Sequence, residues 1–289
     1  MGIAIRQSSG NLAWLLSILL LGVAPMAYAA ESPRKVLVVV SSADSLTLQG
    51  GKKHPTGFFL NELGVPVKAL IDAGYEPVFA DPLGNKPAMD EISDNPSYFG
   101  KDEKKYAMIK SLVTELPGLK HPLPLEKVAA GDLKQYAAVF IPGGHAPMED
   151  LWKQPALGRI LHHFHDLHKP TALICHGPIA LLSSLTDPQP LVSALEQGKN
   201  VQAEKMPWIY AGYQITVFSD AEEKPTDVPT WLGGKMRFFP EDALRAAGAK
   251  VTEAPPGQSN VVNDRELITG QNPQSDEELA AQLLNALKH

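Results

Sequence analysis

The sequence is poor in cysteine and lacks the patterns that mark several classes of protein. Cys175 is the only cysteine in 289 residues, which excludes an intrachain disulfide and any metal site built from several cysteines. Lysine and arginine total 26 against 32 acidic residues and form no basic block, so we expect no nucleic-acid partner. There is no internal repeat. With 44% hydrophobic residues, the composition is that of a globular protein with a sizeable core.

An N-terminal apolar run is too short to predict a membrane span. Arg6 precedes the run at residues 12–23, and Ala27 and Ala29 follow it at the spacing of a signal-peptidase site. A span needs about 20 apolar residues. We therefore expect residues 1–29 to be a cleavable signal peptide, a periplasmic or secreted location, and no stable membrane anchoring. A single membrane anchor remains the alternative reading.

Hydrophobic patterns predict alternating strands and helices in the remaining 30–289. Continuous apolar runs predict strands at 35–40, 76–80, 136–141, 171–174 and 214–218. Helices are predicted at 57–73 with a break at Gly64 and Pro66, at 101–116, 155–168, 176–185 and 240–247, and after a capping box of Ser275 and Glu278. This alternation predicts one α/β domain, a three-layer sandwich whose mostly parallel sheet has helices on both faces, with insertions at 81–135 and 186–212.

The strand at 171–174 runs directly into Cys175, which is followed by His176, Gly177 and Pro178. A tight strand-to-helix turn of this kind presents a nucleophile above the carboxyl edge of the sheet. Gly177 allows the close backbone approach that such a turn needs, and a helix N-terminus would favour the thiolate. The alternative is a small, buried and inert cysteine.

Two other strand ends supply candidate partners. Gly143 and Gly144 follow the strand at 136–141, where their backbone N–H groups could form an oxyanion site. Glu62 lies on an apolar stretch, where a half-buried carboxyl could act as an acid or a base, although a solvated helix glutamate is the alternative.

An acidic group follows the strand at 214–218, and one of its carboxylates could orient His176. Spacing does not choose between Glu222 and Glu223. The histidines between 162 and 168 are interpreted as a solvated helix face, so we expect no metal site.

Several blocks in order resemble the ThiJ/PfpI superfamily. They are TGFFLNEL, AGYEPVFADPLG, AAVFIPGGHAPMEDL, TALICHGPIALL, ITVFSDAEE and LITGQNPQSDEELAAQLL, which together span roughly 35–288. Within the superfamily, the chain is similar to the branch of glyoxalase III enzymes and heat-shock chaperones. The resemblance implies a flavodoxin-like fold of the class I glutamine amidotransferase type.

The resemblance also implies roles for individual residues. Cys175 would be the nucleophile, His176 its neighbouring base, Glu62 the acid facing the elbow and Glu223 the acid that orients the histidine. Gly144 and the backbone N–H of His176 would form the oxyanion site. The segment 204–213 and the expected secretion depart from this branch.

The implied activity is a glutathione-independent glyoxalase, which converts methylglyoxal or another small 2-oxoaldehyde to a 2-hydroxy acid such as D-lactate without a cofactor. Two alternatives stay open: a holding chaperone, and a thiol-dependent deglycase, amidase or peptidase. The resemblance also leaves a homodimer open.

Overall fold

The computed structural model describes residues 1–4, 34–199, 207–226 and 231–288. The chain divides into two compact units, Met1–Glu31 and Ser32–His289. Apart from its first four residues, the predicted signal peptide lies outside the described residues. Within the described ranges, no helix is both long and apolar enough to cross a membrane.

The central sheet of the second unit is mostly parallel. Within the described residues it has seven strands: β1 Lys35–Val39, β4 Glu76–Asp81, β5 Leu123–Pro124, β6 Tyr136–Ile141, β7 Thr171–Ile174, β10 Val261–Asp264 and β11 Leu267–Gly270. They lie in the order β10–β11–β7–β6–β1–β4–β5 across the sheet. β10 is antiparallel to β11, and all other neighbouring strands are parallel. Two small ribbons pair β2 (Ser45–Thr47) with β3 (Lys53–Pro55) and β8 (Gln214–Ile215) with β9 (Lys250–Val251).

Alternating side chains of the sheet feed two cores, one on each face. Val36 and Val38 of β1 belong to one hydrophobic cluster, and Leu37 and Val39 belong to the other. The first cluster includes residues of helices α1 (Leu60–Asp72), α2 (Glu103–Glu115), α3 (Pro117–Lys120) and α9 (Asp276–Ala286). The second includes residues of α4 (Leu125–Ala129), α5 (Pro155–Asp166), α6 (Gln189–Glu196) and α8 (Pro240–Ala247). The predicted three-layer α/β class is confirmed.

The break predicted at Gly64 and Pro66 is wrong, because α1 is continuous from Leu60 to Asp72. Gly64 has a packing reason instead: a Cβ there would overlap the side chain of Ile109 on α2. Pro66 removes one backbone donor, and burial of this helix against the sheet and α2 holds it together despite that loss.

The strand predicted at 214–218 is only two residues long, and it lies outside the central sheet. The backbone beyond it has other partners, since Thr216 N donates to Thr269 Oγ1 and Phe218 N donates to the carbonyl of Cys175. This second bond joins the segment before α7 (Asp220–Thr226) to the end of β7.

Two predicted helix features also differ. Residues Gly177–Ser184 form a 3-10 helix in which every residue is buried, so packing from all sides rather than one apolar face sets its geometry. Ser275 precedes α9, but its hydroxyl bonds Asn260 and Asn272 instead of the helix, and Glu278 accepts from Ser259. The capping box is therefore absent.

Candidate active site

Cys175 stands where β7 ends, and its backbone is strained. Its φ of +60° lies in the left-handed region, which residues with a Cβ seldom adopt. Hydrogen bonds on both sides hold it there: its N–H donates to the carbonyl of Gly270 at 2.9 Å, and its carbonyl accepts from the N–H of Phe218 at 2.9 Å. A strained residue fixed in this way projects its side chain from the strand end, as a nucleophile elbow does.

A carboxylate and two imidazoles lie beside the thiol. Sγ of Cys175 is 3.3 Å from Nδ1 of His176, and Nε2 of His176 is 2.5 Å from Glu223. The other oxygen of Glu223 lies 3.0 Å from Nε2 of His145. The rings of His145 and His176 are 4.1 Å apart between centroids, and all four residues are buried. One carboxylate thus holds two neighbouring imidazoles, whose planes are tilted by 40°.

The charges in this group follow from its contacts. Burial raises the pKa of Glu223, but the two imidazoles outweigh it and hold that pKa well below its usual range. Burial and the charge of His145 lower the pKa of His176, so its ring is neutral. Burial opposes charge on His145 as well, yet Glu223 raises its pKa above the ordinary value. Because an ionised carboxylate only accepts, Nε2 of His176 carries the proton and Nδ1 is free to accept from the thiol.

Glu62 approaches the thiol from the other side. A Cβ added to Gly143 would lie 2.6 Å from Cβ of Cys175 and 2.6 Å from Oε2 of Glu62, so both side chains crowd that glycine. Neither oxygen of Glu62 has a hydrogen-bond partner of good geometry among the described residues. Burial raises its pKa to about 8, and the thiol and the N–H groups of Gly143 and Gly144 offset this only in part. The carboxyl is therefore protonated at neutral pH.

The surroundings of the thiol oppose the thiolate that a helix N-terminus is expected to favour. Burial, followed by the neighbouring Glu62, raises the pKa of the Cys175 thiol well above its ordinary value. The helix after it is a short 3-10 segment, which supplies little of the field of an α-helix. Nδ1 of His176, 3.3 Å from the sulfur, is the group placed to accept a proton from this thiol.

The three predicted glycines have different surroundings. Gly144 has a φ of +84° and lines the cavity above the site. Its N–H faces the sulfur of Cys175, which lowers the pKa of the thiol. Gly143 gives room to Cys175 and Glu62. Gly177 gives room to the turn, since a Cβ there would lie 2.6 Å from the carbonyl oxygen of Ile141. Of these three, Gly144 alone borders the described cavity.

Glu222, the competing acid, faces away from His176. Its oxygens accept from Ser219, Gly257, Gln271 and Asn272, which joins the loops around the site. The structure therefore brings Glu223, and not Glu222, to the histidine.

One set of described residues has the geometry to hold a metal ion: His145, His176 and Glu223, whose ligand atoms all lie within 4.8 Å of one another. A metal there would displace both imidazole protons that now bond Glu223. The other histidines singled out in the sequence do not converge, since His162 bonds the carbonyl of Ser184 and His165 bonds Glu266.

The site opens into a cavity of about 300 Å³. Cys175, His176 and His145 lie in its lining together with a group of aromatic side chains: Phe59, Tyr98, Phe218 and Trp231.

Sequence reasoning assigned no role to His145 or to these aromatic residues. His145 directly follows Gly144 at a strand end, and its position beside two candidate site residues was the available signal. The aromatic residues come from four separate segments, so no spacing in the sequence could have grouped them.

A flavodoxin-like α/β sheet with a buried cysteine at a strained strand end, facing a histidine–glutamate pair, defines the structural class. Within that class, the sequence profile of the DJ-1/PfpI family matches residues 55–186 of the chain.

Individual relatives span nearly the same range. The chain is 27% identical over 260 residues to a protein named protein/nucleic acid deglycase HchA from Staphylococcus aureus, covering 88% of this chain and 82% of the relative. The solved structure of Rapid Encystment Protein from Francisella tularensis is 25% identical with a TM-score of 0.63, covering 88% and 99% of the two chains. Glyoxalase III from Candida albicans shares the fold at 23% identity and a TM-score of 0.62, covering 88% and 98%.

Proposed function

We propose that the protein is a glutathione-independent glyoxalase that converts methylglyoxal or a related 2-oxoaldehyde to a 2-hydroxy acid such as D-lactate. The observation that carries the proposal is the placement of the Cys175 thiol between the acceptor nitrogen of His176 and the protonated carboxyl of Glu62, inside a small cavity. Glyoxalase III from Candida albicans shares the fold.

The first step is addition of the thiol to the aldehyde. Nδ1 of His176 removes the thiol proton while sulfur bonds to the aldehyde carbon, and Glu223 stabilises the imidazolium that forms. The carboxyl of Glu62 gives its proton to the aldehyde oxygen, which yields a neutral hemithioacetal and leaves Glu62 as a carboxylate that can act as the base of the next step. The N–H of Gly144 is placed to stabilise the charge that develops on this oxygen.

The second step moves a hydrogen between the two substrate carbons. A base removes the proton from C1 of the hemithioacetal, the enediol forms, and C2 is protonated to give the 2-hydroxy thioester. Glu62 has a pKa of about 8, which suits a group that gives and takes a proton near neutral pH. Water then hydrolyses the thioester, which releases the 2-hydroxy acid and restores the thiol.

This sequence balances without a further reagent. The aldehyde carbon is oxidised and the ketone carbon is reduced within one molecule, so no electron acceptor is consumed. The enzyme supplies the thiol that glutathione supplies in solution. We therefore propose that neither a redox cofactor nor glutathione takes part.

Replacement of the nucleophile tests the proposal. The wild-type protein is incubated with methylglyoxal without glutathione, and lactate is assayed beside Cys175→Ala and Cys175→Ser. We expect both variants to lose at least about 1,000-fold in kcat/KM, because no covalent adduct of equal reactivity can form. Lactate production by Cys175→Ala at the wild-type rate would reject the mechanism.

The name of the curated relatives favours a second candidate, a deglycase that acts on adducts already formed on protein or nucleic acid. The two activities separate when free aldehyde is trapped continuously by an excess of a competing scavenger. A deglycase still releases 2-hydroxy acid from a preformed lysine or arginine adduct under these conditions, whereas a glyoxalase that needs free aldehyde stops.

A further inference from the structure

The walls of the active-site cavity are far more aromatic than a three-carbon substrate requires. Phe59 and Tyr98 meet edge to face with centroids 4.7 Å apart, and Phe218 stacks on the ring of His176 at 4.8 Å. Trp231 completes this aromatic wall, and its side chain is 44% exposed. The cavity, at about 300 Å³, is in the size range of pockets that enclose ligands much larger than methylglyoxal.

The charge around the cavity is acidic or neutral. The described residues that line it include no lysine or arginine, and they do include Glu222. Glu223, directly behind His176, is ionised, and its charge balances that of His145. A substrate with its own carboxylate would find no lysine or arginine in this lining, and His145 is already paired with Glu223, so the site favours a neutral molecule.

Trp231 has no evident structural reason for its position. Among the described residues, it is one of the few large apolar side chains that are exposed to solvent. It lines the cavity and is not part of a hydrophobic core. An aryl group bound in the cavity against Trp231 and the other aromatic side chains would bury apolar area and gain edge or offset contacts.

We propose that the aromatic wall is a subsite for the side group of the substrate, and that the preferred substrates are neutral 2-oxoaldehydes with an aryl or comparably large apolar substituent. This inference rests on the proposed glyoxalase function for the chemistry at Cys175. Trp231 is the specificity-determining residue, because it lines the cavity and is the most exposed of the four aromatic side chains there.

The test compares two aldehydes on the full-length protein without glutathione: methylglyoxal, assayed as lactate, and phenylglyoxal, assayed as mandelate. The measured quantity is the ratio of kcat/KM for phenylglyoxal to that for methylglyoxal, which cancels any general loss of active protein. We expect Trp231→Ala to lower this ratio about tenfold, mostly through KM for phenylglyoxal. Trp231→Phe keeps a ring at the position and should retain most of the ratio.

Leu83→Ala is the matched control, because Leu83 is a large apolar residue 75% exposed outside the cavity. It should leave the ratio unchanged. A Trp231→Ala ratio within twofold of wild type would overturn the inference while the glyoxalase proposal stands.

If the wild-type protein turns over neither aldehyde, the proposed function fails and the subsite is judged by binding alone. Acetophenone, a neutral aryl ketone without an aldehyde, is titrated by calorimetry into the wild type and Trp231→Ala. At least about fivefold weaker binding to the variant supports the subsite. Equal affinity for the two proteins rejects it.

Discussion

His145 and His176 share the carboxylate of Glu223, and this sharing sets the charge of each ring. The charge on His145 lowers the pKa of His176, which keeps the proposed base neutral and able to accept the thiol proton. Glu223 has the opposite effect, since it raises the pKa of both His145 and His176. We therefore propose that His145 is a positioning residue, which lowers the pKa of His176 without taking part in bond formation.

The variant His145→Gln tests this at the level of one side chain. Loss of the neighbouring charge should raise the pKa of His176, so the acid limb of the pH profile of kcat/KM moves to higher pH. We expect the ratio of activity at pH 8 to activity at pH 6 to increase by at least about threefold. NMR titration of the His176 ring checks the assignment. An acid limb that stays in place would show that His145 is only a packing residue.

Part of this site could be predicted from the sequence because apolar runs show where strands end. Cys175 and Gly144 each follow a strand of the central sheet, and parallel strands bring such ends together. The acidic pair at 222–223 also follows an apolar run, but the hydrogen bond from Phe218 N to the carbonyl of Cys175 joins its segment to the site. Sequence could not choose Glu223 over Glu222, because that choice depends on which side of a single helical turn faces His176. The direction of the thiol pKa shift could not be predicted from the sequence either, because it depends on burial beside Glu62.

The elements themselves were predicted well where long apolar runs define them. β1, β4, β6 and β7 begin and end within one residue of the predicted strands. Errors arose where partners outside the element decide its geometry: Ile109 packs on Gly64, and Thr269 takes the hydrogen bond that a longer β8 would have used. Such partners are far away in the sequence.

The packing of α5 on the segment that follows Cys175 gives a prediction at the level of elements. A Cβ at Gly158 would overlap the carbonyl oxygen of Ser183. Alanine raises helix propensity by about 1 kcal/mol, but forcing the two elements apart costs about 1–3 kcal/mol in cores of this density. We expect Gly158→Ala to unfold at lower denaturant concentration than wild type and to lose activity as the elbow shifts.

Gly131→Ala provides the comparison for that experiment. Its new Cβ would lie 3.4 Å from the nearest backbone oxygens, which is an ordinary contact. Its denaturation midpoint should stay close to that of wild type. An unchanged midpoint in Gly158→Ala as well would mean that the helix moves freely over the segment below it.

The stability of the whole molecule should depend on pH through Glu62. Its pKa is about 8 in the folded protein against 4.5 as its ordinary value, so between these pH values the unfolded chain has released a proton that the folded chain still holds. The free energy of unfolding therefore falls as pH rises through this window, by about 1.4 kcal/mol per pH unit from this group.

Glu62→Gln removes this dependence, because glutamine stays neutral. The stability of the variant relative to wild type should grow from pH 6 to pH 8 by about 2–3 kcal/mol, then level off. Denaturant titrations at several pH values measure it. A constant difference across the range would mean that the carboxyl is ionised in the folded protein.

We also propose that the protein is exported after cleavage behind Ala29, which leaves a periplasmic or secreted domain of residues 30–289. N-terminal sequencing of protein recovered outside the cytoplasm of a bacterial host tests this directly. A first residue of Ala30 is the expected result. Recovery of the intact chain in the membrane fraction would favour the anchor instead.

The left-handed backbone at Cys175 has an evolutionary consequence. Glycine adopts a φ of +60° without strain, so a chain selected for stability alone would drift toward glycine at this position. We therefore expect the sulfur, and not the backbone, to be the reason for cysteine at this position. A descendant of this lineage with glycine at 175 would have lost the proposed thiol chemistry, even if the rest of the fold and both histidines were unchanged.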